Sequence, residues 1–188
     1  MSKIYNFYSN ILKLKPKSFN LSKEEMDFFN DCLENICKKT DLLKLDNYIQ
    51  HGDTSCLWHS IAVAYYAYCF FKYFNIKCDE KSLIYGALLH DYFLYDWHEH
   101  DKSHRFHGFT HPTTALNNAY KHYNLNKCEV DIIKNHMFPL TLVPPHHRES
   151  IMVSLSDKVC SSLETFNSNM YKGLKYNNSL YTNKNTEH

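Results

Sequence analysis

Four glycines and five prolines in 188 residues leave this chain few of the breakers that a turn-rich β architecture needs. Glycine supplies left-handed turns and proline fixes φ, so a chain poor in both is expected to fold into helices. Hydrophobic residues make up 44% and charged residues 22%, enough apolar surface for burial to offset chain entropy. The length suits a single core. The expectation is an all-α bundle of about seven helices, with an N-terminal helical extension over residues 1–50 packed on the core, a main domain over 51–170 and a polar tail over 171–188.

Local signals place the helices. Residues 3–14 read as a short amphipathic helix, and Ser22 with Glu25 forms a capping box for a second one reaching about Lys39. Leu42, Leu45 and Ile49 continue at helical spacing until HGDTS breaks the pattern, where Asp53 or Thr54 is expected to cap a long apolar helix from Ser55 to Phe74. Asp79 caps the next helix, which carries Leu83, Gly86, Ala87 and His90 on one face and ends near His90 and Asp91. Residues 92–110 are polar, aromatic and His-rich and read as a long loop. Pro112 suits the first turn of a helix reaching about Tyr123, and Asn126 with Glu129 caps another that carries His136. A last long helix spans about Arg148 to Phe166.

Charge and cysteine usage narrow the function classes. The net charge is +1 and no long basic run occurs, so neither a nucleic-acid polymer nor an anionic membrane surface is an expected partner. The seven cysteines include no CxxC pair and are odd in number, which favours reduced thiols that pack as small hydrophobes. No apolar run approaches the roughly 20 residues that span a bilayer, and the N-terminus has no apolar signal core; a soluble cytoplasmic protein is expected. The oligomeric state is not legible.

Chemistry concentrates where polar groups fall on apolar faces. His59 shares a face with Val63, Tyr66 and Phe70; His90 and Asp91 follow LIYGALL; Asp157 shares a face with Val153 and Cys160. A buried carboxylate without a partner costs several kcal/mol, and a cation relieves that cost. Imidazole and carboxylate donors together suit Fe, Mn, Zn, Co or Ni. Each residue also has a plainer reading. His59 alone reads as a hydrogen-bonded core histidine, His111 as a helix-entry residue before Pro112, and His136 as a helix-end cation. His98, His100, His104 and His107 read equally as a solvated loop or a substrate lid, and His146 and His147 read as surface residues. Asp96 and His98 are candidates for a general acid.

The order of His59, the adjacent pair His90 and Asp91, and the distant Asp157 resembles the HD superfamily of metal-dependent phosphohydrolases, over roughly residues 51–166. The resemblance implies that these four residues ligate one metal ion. His111 in HPTTALNNA and His136 in IIKNHMFPL match the positions where binuclear members bind a second, so two divalent ions (Fe, Mn, Co, Ni, Zn or Mg) are implied. The six-ligand pattern is similar to bacterial HD enzymes that hydrolyse dinucleoside polyphosphates. The chain departs from them at Leu94, where they and the cyclic-dinucleotide phosphodiesterases usually carry Lys. Implied is a hydrolase acting on a phosphate ester or anhydride of a small molecule, a nucleotide or dinucleotide first, with Asp91 and Lys158 catalytic and Lys158, Arg105 and His104 or His107 holding phosphate charge. Two other readings stay open: an HD-fold di-iron oxygenase, and a non-catalytic domain that binds a nucleotide or metal.

Overall fold

The computed structural model describes residues 21–97 and 107–166, all within the compact unit Leu21–Met170. The expected helix over 3–14, His98, His100, His104 and Arg105 of the His-rich loop and the C-terminal tail lie outside the described residues. The described part is all-α apart from one small hairpin.

Helix α1 (Lys23–Lys39) opens on the expected capping box: Ser22 Oγ accepts from the Glu25 N–H at 3.2 Å, and the Glu25 carboxylate accepts from the Ser22 N–H at 2.8 Å. Its buried face is Phe29, Cys32, Leu33 and Ile36. Leu42 and Leu45 then anchor a 3-10 helix over Leu42–Asn47. The break at HGDTS is a hairpin in which β1 (Ile49–His51) pairs antiparallel with β2 (Thr54–Ser55). Strands this short carry no visible period, so composition reads them only as a break. Gly52 turns the hairpin at φ +59, a region where a side chain is strained, and a Cβ there would meet the Glu164 carbonyl oxygen at 3.0 Å.

Helix α2 (Cys56–Tyr73) is capped by Ser55, not by Asp53 or Thr54. Thr54 is held in the hairpin opposite His51, so Ser55 is where the chain leaves the extended pairing for the helix, and its side chain accepts from the Trp58 N–H. Cys56 through Tyr65 are all buried, as are Ser82 through Leu89 of α3 (Glu80–Leu89), which Asp79 caps. Helices buried on every face form the centre of a bundle. These two pack on each other, and α1, α4 (His107–His122), α5 (Lys127–Asn135) and α6 (Arg148–Phe166) surround them. The α3–α5 crossing is close: a Cβ on Gly86 would lie 2.9 Å from Ile132 Cβ.

Helix α4 departs from expectation at its start. It begins at His107, so part of the expected loop is helical and Pro112 lies beyond the first turn. Pro112 cannot donate to the Gly108 carbonyl, a loss close enough to the helix start to leave the rest of the ladder intact. Nearby, His111 Nδ1 donates to the His107 carbonyl at 2.9 Å. Helix α5 opens on the expected Asn126 and Glu129 capping box and α6 spans the expected residues. Among the described residues no helix is long and apolar enough to cross a membrane.

Candidate metal centre

Five helices deliver polar side chains to one buried point. His59 comes from the first turn of α2, His90 and Asp91 from the end of α3, His111 from α4, His136 from the end of α5, and Asp157 from the middle of α6. All six are buried, with His59 and His90 at 0% exposure and Asp91 at 1%. Gly86 and Ile132, in contact where α3 crosses α5, each lie one helical turn before His90 and His136. The rings of those two histidines meet edge-on at 4.9 Å.

Backbone carbonyls fix how three of the imidazoles point. His90 Nδ1 donates to the Ala87 carbonyl at 2.7 Å, His111 Nδ1 to that of His107 at 2.9 Å, and His136 Nδ1 to that of Ile133 at 2.9 Å. Each Nε2 is thereby turned inward with its lone pair available. His59 is oriented differently: its Nδ1 donates to the buried Glu164 carboxylate at 2.8 Å, and its Nε2 faces Asp157 Oδ1 at 3.2 Å. A carboxylate behind a histidine is the arrangement that raises its basicity as a ligand.

Asp91 joins the two halves of the cluster. Its Oδ2 lies 3.3 Å from His90 Nε2 and 3.7 Å from His59 Nε2, while its Oδ1 lies 3.2 Å from His111 Nε2 and 3.6 Å from His136 Nε2. Two donor groups result, His59–His90–Asp91 and Asp91–His111–His136, each compact enough to hold an ion. Asp157 Oδ1 stands 3.9 Å from His90 Nε2, on the side of the first group.

The buried atoms are those a cation satisfies. Among the described residues His90 Nε2 and Asp91 Oδ1 have no hydrogen-bond partner, and His111 Nε2 lies 2.9 Å from His136 Nε2 although both rings have committed their Nδ1 hydrogens elsewhere. Burial pushes the Asp91 and Asp157 carboxyls up, but the histidines around them outweigh it and hold both below the usual carboxylate range. Burial lowers His59, and the Glu164 charge with hydrogen bonds to Asp157 and Glu164 raises it well above the histidine range. His136, desolvated and crowded by His90 and His111, is held down to about 3. The cluster takes up positive charge, as protons or as metal ions, and its imidazole and carboxylate donors fit divalent ions of the Fe, Mn, Co, Ni and Zn group.

Three participants escape sequence reasoning. Glu164 buttresses His59, and Gln50 Nε2 donates to Asp91 Oδ2 at 2.6 Å while its Oε1 accepts from Cys56 Sγ at 3.1 Å. The His51 ring lies 5.6 Å from that of His59 on the hairpin side. Glu164 alone had a signal, since it continues the face of Asp157 and Cys160 at helical spacing.

A cleft of about 1010 Å³ opens onto the cluster, with Asp91, His111, His136 and Asp157 in its wall. Its volume falls at the upper end of small-molecule sites. His107 is in that wall, its ring stacked between Trp97 at 5.1 Å and His111 at 4.6 Å, and the Tyr95 hydroxyl lies 2.9 Å from its Nδ1. Lys158 is there too, but its ammonium is engaged: Nζ donates to the His136 carbonyl at 3.0 Å, the Ser154 carbonyl at 3.1 Å and Ser154 Oγ at 2.9 Å. Arg105 lies outside the described residues.

No family model, no curated protein and no solved structure matches this chain. What the geometry carries by itself is an all-α protein with buried His/Asp groups able to hold metal ions.

Proposed function

We propose that the chain is an HD-type metal-dependent phosphohydrolase acting on a phosphate ester or anhydride of a small molecule, with nucleotides and dinucleotides the first substrates to test. The observation that carries this reading is the two-sided environment of Asp91, one oxygen facing His59 and His90 and the other His111 and His136. On this reading His59, His90, Asp91 and Asp157 would hold one ion, and His111 and His136 with Asp91 would hold a second.

Divalent ions bound there supply Lewis acidity and bring a water's pKa toward neutrality. The chain's own residues do the positioning. Gln50 fixes the Asp91 carboxylate, Glu164 fixes the His59 ring, and the three backbone carbonyls hold the remaining imidazoles. The cleft admits the substrate from one side, and Lys158 takes a phosphate oxygen in exchange for one of its present bonds.

The test is elemental analysis of the purified full chain, paired with a chromatographic screen for hydrolysis products of nucleotides and dinucleotides in added Mn or Co. Wild type is expected to hold at least two ions and to hydrolyse a substrate; Asp91→Ala is expected to lose two ions and all turnover. Turnover retained by Asp91→Ala sinks the scheme. Bound iron with dioxygen consumption and no hydrolysis product selects the oxygenase, and nucleotide-dependent stabilisation without product selects the non-catalytic binder.

A further inference from the structure

A second group of metal-binding atoms stands outside the His/Asp centre. Cys128 on α5 and His147 and Glu149 at the start of α6 bring a thiol sulfur, an imidazole nitrogen and a carboxylate oxygen within 4.8 Å of one another. We propose that Cys128, His147 and Glu149 form a separate site for zinc or a similarly thiophilic divalent ion, which ties the beginnings of α5 and α6 together. The sequence reading of these residues as packing thiol and surface histidine takes each singly, and the fold makes them one cluster.

The backbone around the cluster is held in place. The His146 and His147 N–H groups donate to Asp131 Oδ2 at 2.8 and 2.9 Å, which clamps the entry to α6 onto α5. Asp131 lies three residues after Cys128, and so on the same side of α5. Glu149 is buried at 6% exposure, and its Oε1 accepts from the Asp79 N–H at 2.9 Å. A neutral amide does not balance a buried carboxylate; a cation does. Arg148 fastens the same corner by donating from Nη1 to the Lys77 carbonyl at 2.7 Å.

Thiolate, imidazole and carboxylate donors together suit zinc, which displaces the thiol proton on binding.

The two sites sit at separate levels of the same helices. Cys128 and His136 are eight residues apart on α5, and Glu149 and Asp157 eight apart on α6, about 12 Å along each axis. An ion at the first pair would brace the frame that delivers the second.

Cobalt titration of the reduced full chain tests this directly, because thiolate ligation gives cobalt a charge-transfer band in the near ultraviolet that the nitrogen and oxygen donors of the His/Asp centre cannot give. The wild-type band is expected to reach the amplitude of one thiolate-ligated cobalt per chain, to bleach on adding zinc, to vanish in Cys128→Ser, and to fall to a small fraction in His147→Ala. His59→Ala, which damages the other centre, is expected to leave it unchanged. Cobalt binding without the band overturns the proposal, as does a band undiminished in Cys128→Ser. Should Cys128→Ser fail to fold, an undiminished band in His147→Ala overturns it equally. None of these readings depends on phosphate release.

Discussion

The Nε2 atoms of His111 and His136 lie 2.9 Å apart, each on a ring whose Nδ1 hydrogen is given to a carbonyl. Two lone pairs at that distance repel until positive charge sits between them, so the backbone bonds that fix the rings also select what the site takes up. Glu164 does the same for His59, and its test is Glu164→Gln, which keeps volume and removes charge. Metal affinity is expected to fall about 10–100-fold with the fold retained, read by calorimetric titration with Mn; an unchanged affinity means that His59 is held without it. His59, His90, Asp91 and Asp157 are legible in the sequence because histidine and aspartate on apolar faces are uncommon enough to be noticed, whereas His111 and His136 enter through the resemblance. Gln50 is not legible, because its partner lies 41 positions away and a glutamine alone reads as surface, and Glu164, though on the face of Asp157 and Cys160, gives no sign of a partner 105 positions away. Asp131 offers a second residue-scale prediction. Burial pushes its carboxyl up, but the amides of His147 and His146 and the side chains of Asn135 and His146 outweigh it and hold it below the usual range. A depressed folded pKa gives stability that is present above the unfolded value of about 3.9 and lost as pH falls through the folded one. Asp131→Asn turns an amide against donors and is expected to cost about 1.5–3 kcal/mol at pH 7. The gap to wild type should narrow in urea melts below about pH 4, where the wild-type carboxyl also protonates; a constant gap would show that charge plays no part.

Helices were readable where a side chain writes their start. Ser22 with Glu25, Asp79, and Asn126 with Glu129 each satisfy free N–H groups by a bond three residues long, so the signal is local and survives in sequence. The hairpin and the true start of α4 were not readable, since the first is fixed by Gly52 against the Glu164 carbonyl and the second runs through a proline that sequence logic places at a first turn. The α3–α5 crossing decides more than either, because it sets the spacing of His90 and His136. Gly86→Ala puts a methyl 2.6 Å from Ile132 Cδ1 and 2.9 Å from its Cβ, closer than the helices can stand without shifting. A loss of about 1–3 kcal/mol is expected in urea unfolding. Metal affinity should fall with it, and Ile132→Val in the same chain should restore part of both. A fully stable Gly86→Ala with wild-type affinity would mean that the crossing is not what places the ligands.

At the scale of the whole bundle, Asp91, Asp157 and Glu164 bury three carboxylates at 1%, 7% and 0% exposure where five helices meet. A group this charged at the centre makes the frame depend on whatever balances it, because the same helices that bury the apolar core must also bring the carboxylates together. Ions held there would therefore count as part of the core, and removing them should be felt by every helix. Cys128→Ser is the background in which to measure it, so that only the His/Asp centre contributes. With free metal at about 1,000 times Kd, one bound ion stabilises the folded state by about 4 kcal/mol. A unit of this size shifts by about 2–4 °C in melting temperature per kcal/mol, so chelation is expected to lower Tm by about 10 °C for each ion lost. The drop should be reversed by Mn or Co and absent in Asp91→Ala, which has no ions to lose. A melting temperature indifferent to chelation would mean that protonated histidines alone balance the carboxylates, and the metal centre would fall with it.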